Sequence, residues 1–136
     1  MNTAHVAFAA IALAAGLAHA EPGKPVALLE NVPYQEAGMG SRKVADEKHV
    51  LMMQVALKPG QKVPEHKANS NVHLVVLQGA VVVNLAGTDI PAKAGDLVPI
   101  AVGTQMHIRN DSQANATFLI VKTPNPSELD SAAGTK

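Results

Sequence analysis

Short segments rich in Val, Ile and Leu recur along this chain, and none of them carries a long helical period. Apolar segments of this length, bounded by turn formers, are typical of β-strands. The predicted strands are His49–Leu57, Val72–Leu77, Ala80–Leu85, Leu97–Ala101, Met106–Ile108 and Ala116–Lys122. Several short strands at this spacing predict an all-β domain, either a sandwich or a barrel.

Turn-forming residues lie between the predicted strands. The main ones are Pro59-Gly60, Gln78-Gly79, Ala86-Gly87-Thr88, Ala94-Gly95-Asp96, Gly103 and Asn110-Asp111-Ser112. Such residues end strands because glycine tolerates positive φ and proline cannot donate to a strand ladder. The pattern therefore predicts one β domain over residues 21–123, without a second domain.

The strand Val72–Leu77 differs from the others because every position except His73 is apolar. A strand with one solvent-exposed face would alternate apolar and polar residues, so this strand is expected to be covered on both faces. One cover is the interior of the barrel. The other is expected to be the N-terminal segment or a second subunit, which makes a homodimer a candidate assembly.

The first twenty residues contain no Asp, Glu, Lys or Arg, and an apolar run extends from Val6 to Leu17. Ala18-His19-Ala20 then forms a small-x-small site. This pattern predicts a signal peptide over residues 1–20, cleaved after Ala20, and hence a periplasmic or secreted protein. A transmembrane anchor is disfavoured because so short an apolar run cannot cross a hydrocarbon core of ~30 Å. No other segment of the chain is long and apolar enough to span a membrane, so no span is expected in the mature protein.

Composition excludes several classes of function. Eleven basic residues balance eleven acidic ones without a charged block, which argues against nucleic acid or an anionic membrane surface as a partner. The chain has no cysteine, so disulfides and thiol chemistry are excluded. One Tyr, two Phe and no Trp are too few for stacking sugars or bases. Residues 124–136 offer little to bury and predict a loose tail.

Two stretches resemble the paired motifs of the cupin superfamily, G-x5-H-x-H-x3-E-x6-G and G-x5-P-x-G-x2-H-x3-N. The first motif is matched by Gly60, His66 and Gly79. The second motif is matched by Gly95, Gly103 and Asn110. The glycines fall where the pattern already requires turns. The resemblance covers residues 57–123 and implies a cupin-type double-stranded β-helix, that is, a jelly-roll barrel.

Cupins of the metal-binding kind hold a divalent ion with three histidines and one glutamate. The corresponding positions in this chain are His66, Ala68, Val72 and Met106. Ala and Val cannot donate to a metal, and a Met thioether suits soft ions such as Cu(I). The usual site is therefore expected to be broken. His66 remains either a metal ligand or acid/base group at a pocket mouth, or a loop histidine bonded to a backbone carbonyl.

Two further histidines, His73 and His107, each lie one residue beyond an expected ligand position. Together with His66 they form a candidate rearranged site for one divalent transition metal ion such as Zn, Cu, Fe or Ni. A one-residue step moves a side chain to the opposite face of a strand, so this site would need a bulge in both strands. The alternation over residues 105–109 instead predicts that His107 faces outward.

Methionines give another candidate ligand set. Met52, Met53 and Met106 could bind copper in an exported protein, although methionine is more common as flexible core filling. No nucleophile elbow or phosphate-binding glycine loop occurs elsewhere in the chain.

Three functions follow from these patterns. The favoured one is a non-enzymatic binding or structural cupin that takes a small, largely apolar ligand, with a pocket lined by Val72, Leu74, Gln105, Met106 and Ile108. The second is a metal-dependent cupin enzyme, an oxygenase or isomerase by family analogy, in which Gln105 or Arg109 orients the substrate. The third is an exported copper- or zinc-binding protein without turnover.

Overall fold

The computed structural model describes residues 20–129. The strands are, in chain order, β1 (Gly40–Glu47), β2 (Val50–Leu57), β3 (Lys62–Lys67), β4 (Asn71–Gln78), β5 (Ala80–Leu85), β6 (Thr88–Lys93), β7 (Leu97–Ile100), β8 (Gln105–Arg109) and β9 (Ala116–Thr123). A five-stranded sheet has the order β1-β2-β9-β4-β7, and a four-stranded sheet has the order β3-β8-β5-β6. All pairings are antiparallel, so the predicted all-β jelly-roll architecture is confirmed.

The six strands predicted from the apolar pattern correspond to β2, β4, β5, β7, β8 and β9. The pattern missed β1, β3 and β6, and each of these lies at the edge of its sheet. Edge strands are exposed and need few apolar residues, and they tolerate proline because one row of backbone groups is unpaired. Pro64 in β3 and Pro91 in β6 are examples.

Alternation along the strands builds the core between the two sheets. Val72, Leu74 and Val76 on β4 are at most 3% exposed, and Met106 and Ile108 on β8 are equally buried. Removing these side chains from water supplies the main driving force for folding, about 25 cal/mol per Å² of apolar surface. The same alternation places Gln105, His107 and Arg109 on the outer face of β8, as the sequence predicts.

The N-terminal segment covers part of the outer face of the five-stranded sheet. Gln54 on β2 donates from Nε2 to the carbonyl of Leu28 at 2.7 Å. This cover does not extend fully over β4, where His73 is exposed and Val75 and Leu77 are only partly buried. In the lone chain, the N-terminal segment therefore covers the outer face of β4 only in part, and His73 stays exposed there. A second subunit over this face stays a prediction.

The prediction of a loose tail from residue 124 needs correction at its start. Asn125 is only 6% exposed, and its Nδ2 donates to Asp46 Oδ1 at 2.7 Å and to the Glu47 carbonyl at 3.0 Å. Ser70 donates to the carbonyl of Pro124 at 2.6 Å. Buried side-chain hydrogen bonds, which composition does not reveal, therefore fasten this segment to the barrel.

Two predicted features fall wholly or mainly outside the described residues. The predicted signal peptide covers residues 1–20, of which the structure describes only Ala20, so the signal peptide, its cleavage and export all stay predictions. Residues 130–136 of the tail likewise lie outside. Within residues 20–129, no helix is long and apolar enough to span a membrane.

Candidate functional site

A cavity of about 380 Å³ lies between the two sheets. Nine of its thirteen lining residues are apolar, and the polar ones are Ser41, Glu65, His66 and Lys122. The walls come from both sheets: Phe118 and Ile120 on β9 face Met106 and Ile108 on β8. An apolar space with a few convergent polar groups is the usual form of a small-molecule site.

His66 on β3 is exposed to solvent and lines the cavity, and its Cα partner on β8 is Met106. An irregularity in β3 between Val63 and His66 shifts the register, so that both residues line the cavity. The Nδ1 atom of His66 is 2.9 Å from the carbonyl oxygen of Pro64. A carbonyl only accepts, so Nδ1 carries a proton and donates. In the neutral imidazole, this tautomer has its lone pair on Nε2. The carbonyl bond expected for a loop histidine is thus present, and it also fixes the ring.

The four positions of the usual cupin metal site do not fit a three-histidine, one-glutamate centre. Ala68 is 4% exposed, and Val72 and Met106 are each 3% exposed, so these side chains belong to the apolar core. Among the four, only His66 offers a nitrogen or oxygen donor. The expectation that the usual site is broken therefore agrees with the environment of these residues.

The structure does not bring the three candidate histidines together. His73 is exposed on the outer face of the five-stranded sheet, paired with Pro99 and Val121. His107 lies on the outer face of the other sheet, beside Asn84. The bulge in β4 comes after Val76 and so cannot turn His73 inward. Within residues 20–129, no group of three or more His, Cys, Asp or Glu side chains is placed to hold a metal ion.

Two of the five residues predicted to line a pocket border this cavity. Met106 and Ile108 line the cavity, whereas Val72 and Leu74 face inward but are packed into the core beside it. Gln105 is exposed on the outer face of β8, where its Cα partner is Lys67. The prediction that Gln105 lines the pocket is therefore wrong, because the alternation that buries Met106 directs Gln105 outward.

Sequence reasoning missed several lining residues. Met53 and three residues of β9 could have been found from the inward positions of their strands, and these three are Phe118, Ile120 and Lys122. Met39 could not have been found this way, because it precedes β1 and reaches the cavity through the path of the loop.

Lys122 contributes the cation that lines this cavity. It faces inward from β9 between its Cα partners Leu51 and Val72, and it is partly buried. Its Nζ donates to Asn69 Oδ1 at 2.9 Å. Burial lowers the pKa of the Lys122 ammonium from its ordinary value, because the charged form loses solvation. The site therefore contains a partly desolvated positive charge at one end.

A polar cluster on the outer face of the four-stranded sheet holds Arg109 away from the cavity. Its guanidinium donates to both carboxylate oxygens of Asp89, at 3.0 and 2.8 Å, and to Asp111 at 2.8 Å. Hydrogen bonds from Arg109 and then from Asn84 hold the pKa of Asp89 well below its usual range. Arg109 is thus not placed to orient a substrate in the cavity, which corrects that prediction.

A second depression, of about 470 Å³, lies on this outer side around Val82, Pro91 and Lys93. It is a surface feature formed mainly by β5 and β6, and no histidine is among its lining residues. The cavity between the sheets combines apolar walls from both sheets with an oriented imidazole, so it is the better candidate site.

Comparison with known proteins agrees with this architecture. Residues 53–122 match the family model described as a cupin domain, which is just over half of the 136 residues. The chain therefore belongs to the cupin family.

Individual relatives extend the comparison. An uncharacterised protein of Methanocaldococcus jannaschii is 29% identical over 89 residues, which cover 65% of this chain and 77% of that protein. A crystal structure from the same organism, described as an RmlC-like cupin family protein with a double-stranded β-helix fold, has a TM-score of 0.69 at 24% identity. The match covers 82% of this chain and 99% of that protein's chain.

A further similar structure is that of a predicted oxalate decarboxylase from Thermotoga maritima. The TM-score is 0.58 at 26% identity, and the match covers 63% of this chain and 80% of that one. These relatives define a small cupin-domain protein.

Proposed function

We propose that this protein is an exported, non-enzymatic cupin that binds a small, largely apolar molecule in the cavity between its sheets. The observation that carries the proposal is the cavity itself, about 380 Å³ in volume with nine apolar lining residues of thirteen. Export rests on the signal-peptide pattern of residues 1–20.

The dimensions and chemistry of the cavity favour a small molecule. Its volume falls within the range of roughly 300–1,000 Å³ that is typical of ligand sites, and its apolar walls would remove much of such a ligand from water. Each 100 Å² of apolar ligand surface buried contributes about 2.5 kcal/mol before the cost of association. Glu65, His66 and Lys122 supply the polar contacts that fix orientation.

The metal-dependent enzyme receives less support from the geometry. That function was inferred from three histidines sharing one ion, but His73 and His107 face outward from different sheets. The residues expected to orient a substrate, Gln105 and Arg109, also lie outside the cavity. Binding without this catalytic centre is therefore the function that fits the placement of the side chains.

Titration with an uncharged fluorescent probe, N-phenyl-1-naphthylamine, would test the proposal. We expect saturable binding to the purified protein and at least a tenfold loss of affinity in Val63→Trp, because the indole fills the cavity that Val63 lines. The matched control is Val102→Trp, since Val102 is 52% exposed and does not line it. Circular dichroism verifies that both variants fold. Equal probe affinity in both folded variants would contradict the proposal.

A further inference from the structure

Three methionines from distant parts of the chain meet at the cavity. Met39 precedes β1, Met53 lies on β2 and Met106 lies on β8, and all three line the same space. Met52, the sequence neighbour of Met53, pairs with Val121 and faces the outside of the sheet. Folding therefore separates two adjacent methionines and gathers three distant ones.

These methionines are graded in exposure from the interior to the opening. Met106 is 3% exposed, Met53 is partly buried, and Met39 is 39% exposed. Methionine is unbranched, with three rotatable bonds and a polarizable sulfur, so side chains on different strands can direct their sulfur atoms to a shared point. All three residues line the cavity, so they border space that a ligand can occupy.

A nitrogen donor lies next to the most buried methionine. His66 and Met106 are Cα partners across β3 and β8, a relationship that places Cβ atoms about 4.5–5.5 Å apart. The Nδ1–H group of His66 donates to the Pro64 carbonyl at 2.9 Å, which orients the ring and makes Nε2 the nitrogen available to a metal in the neutral imidazole. Metal-binding histidines are oriented in this way, with the second ring nitrogen bonded to a backbone carbonyl or a carboxylate.

We propose that the cavity binds the soft monovalent ion Cu(I) through the thioethers of Met39, Met53 and Met106 and the Nε2 atom of His66. Thioether sulfur selects Cu(I), and imidazole is compatible with it, whereas Mg²⁺, Ca²⁺ and Mn²⁺ prefer oxygen. All four donors are neutral, so the bound site carries a single positive charge. This inference goes beyond the proposed function, because it requires the sulfur atoms and not merely an apolar wall.

The charged groups at the cavity are compatible with a monovalent cation. Glu65 lines the same space and supplies a negative charge. Lys122 is the opposing charge among the lining residues, and its Nζ is directed to Asn69 Oδ1 at 2.9 Å.

Competition with a chromogenic chelator under anaerobic conditions tests the site. We expect the purified protein to withdraw one Cu(I) per chain from bathocuproine disulfonate. Met106→Leu and Met53→Leu should each lower the affinity at least tenfold, while Met52→Leu should leave it unchanged. Methionine-to-leucine changes conserve volume and cost less than about 1.5 kcal/mol, so the variants should fold. Silver(I) provides a redox-stable probe of the same donors in a thermal-shift assay.

Two results would overturn the metal site: no withdrawal of Cu(I) from the chelator, or equal weakening by Met52→Leu and Met53→Leu. Retention of N-phenyl-1-naphthylamine binding in that case leaves the proposed function standing. Conversely, Cu(I) binding that depends on Met53 and Met106, in a protein that never binds the naphthylamine, supports the metal site and removes the proposed function. The two proposals can therefore fail separately.

Discussion

Gln54 donates a hydrogen bond from Nε2 to Thr117 Oγ1 at 3.0 Å, and both side chains are fully buried on the outer side of the five-stranded sheet. Thr117 Oγ1 in turn donates to the carbonyl of Val55 at 2.8 Å. Gln54 Nε2 also donates to the Leu28 carbonyl, and its Oε1 accepts from Arg42 Nε at 2.9 Å. The amide thereby fastens the N-terminal segment to β1, β2 and β9.

Replacing Gln54 by leucine should destabilise the protein by about 1–3 kcal/mol. The buried Thr117 hydroxyl and the Leu28 carbonyl would then lose the hydrogen bonds that Gln54 Nε2 donates to them. Urea unfolding followed by circular dichroism measures the change. Gln78→Leu, at an exposed position on β4, is the matched control and should alter stability by less than about 0.5 kcal/mol. Indistinguishable midpoints for the two variants would refute the role assigned to Gln54.

Two glycines of the first motif should respond differently to alanine. Gly60 and Gly79 have φ values of +83° and +79°, so alanine at either is strained by about 1–2 kcal/mol. At Gly60 the added Cβ meets nothing within 4 Å, whereas at Gly79 it would overlap the Asn115 carbonyl oxygen and lie 2.9 Å from Ala116 Cα.

Gly79→Ala should therefore lower the free energy of unfolding by more than about 3 kcal/mol, well beyond the cost of Gly60→Ala, because backbone must move as well. Chemical denaturation of the two variants against the unmodified protein gives the comparison. If both lose the same stability, the close approach at Gly79 is not limiting.

The stability of Lys122→Met should differ from that of the native protein in a pH-dependent way. Burial places the pKa of Lys122 in the folded protein below its pKa in the unfolded chain, which is about 10.4. Between these two values the unfolded chain binds more protons, so native stability rises with pH. Below the window the native protein carries the desolvation cost of the ammonium, which methionine does not.

We therefore expect Lys122→Met to melt at a higher temperature than the native protein at pH 7, with the difference shrinking as the pH passes through and above this window. Calorimetry at several pH values measures the difference, in which the titration of all other groups cancels. Lys62→Met, on exposed β3, serves as the control and should show no such pH dependence. A constant difference across the pH range would show that desolvation of Lys122 is not its cause.

The core strands could be predicted because their apolar residues are consecutive or alternate, and because glycine and proline separate them. Three of the four edge strands, β1, β3 and β6, could not, since all three bury few side chains, whereas the fourth, β7, buries half of its residues. Their strand conformation comes from pairing with a neighbour, which no local pattern records.

The candidate site was predictable only in part. Motif spacing placed His66 and Met106 together, and strand alternation correctly directed His107 outward. Met39 was missed because it reaches the cavity from a loop, to which no strand pattern applies. Lys122 was missed although it continues the inward-facing positions of β9 beyond Phe118 and Ile120.

The sequence by itself determined the architecture, the turns and the loss of donors at the usual ligand positions, because these depend on residue type and on spacing along the chain. Only the tertiary structure decided which side chains share the cavity. Met52 and Met53 are adjacent and chemically identical, yet they face opposite sides of one sheet. The contacts that gather Met39, Met53 and Met106 are non-local, so they exist only once both sheets have packed.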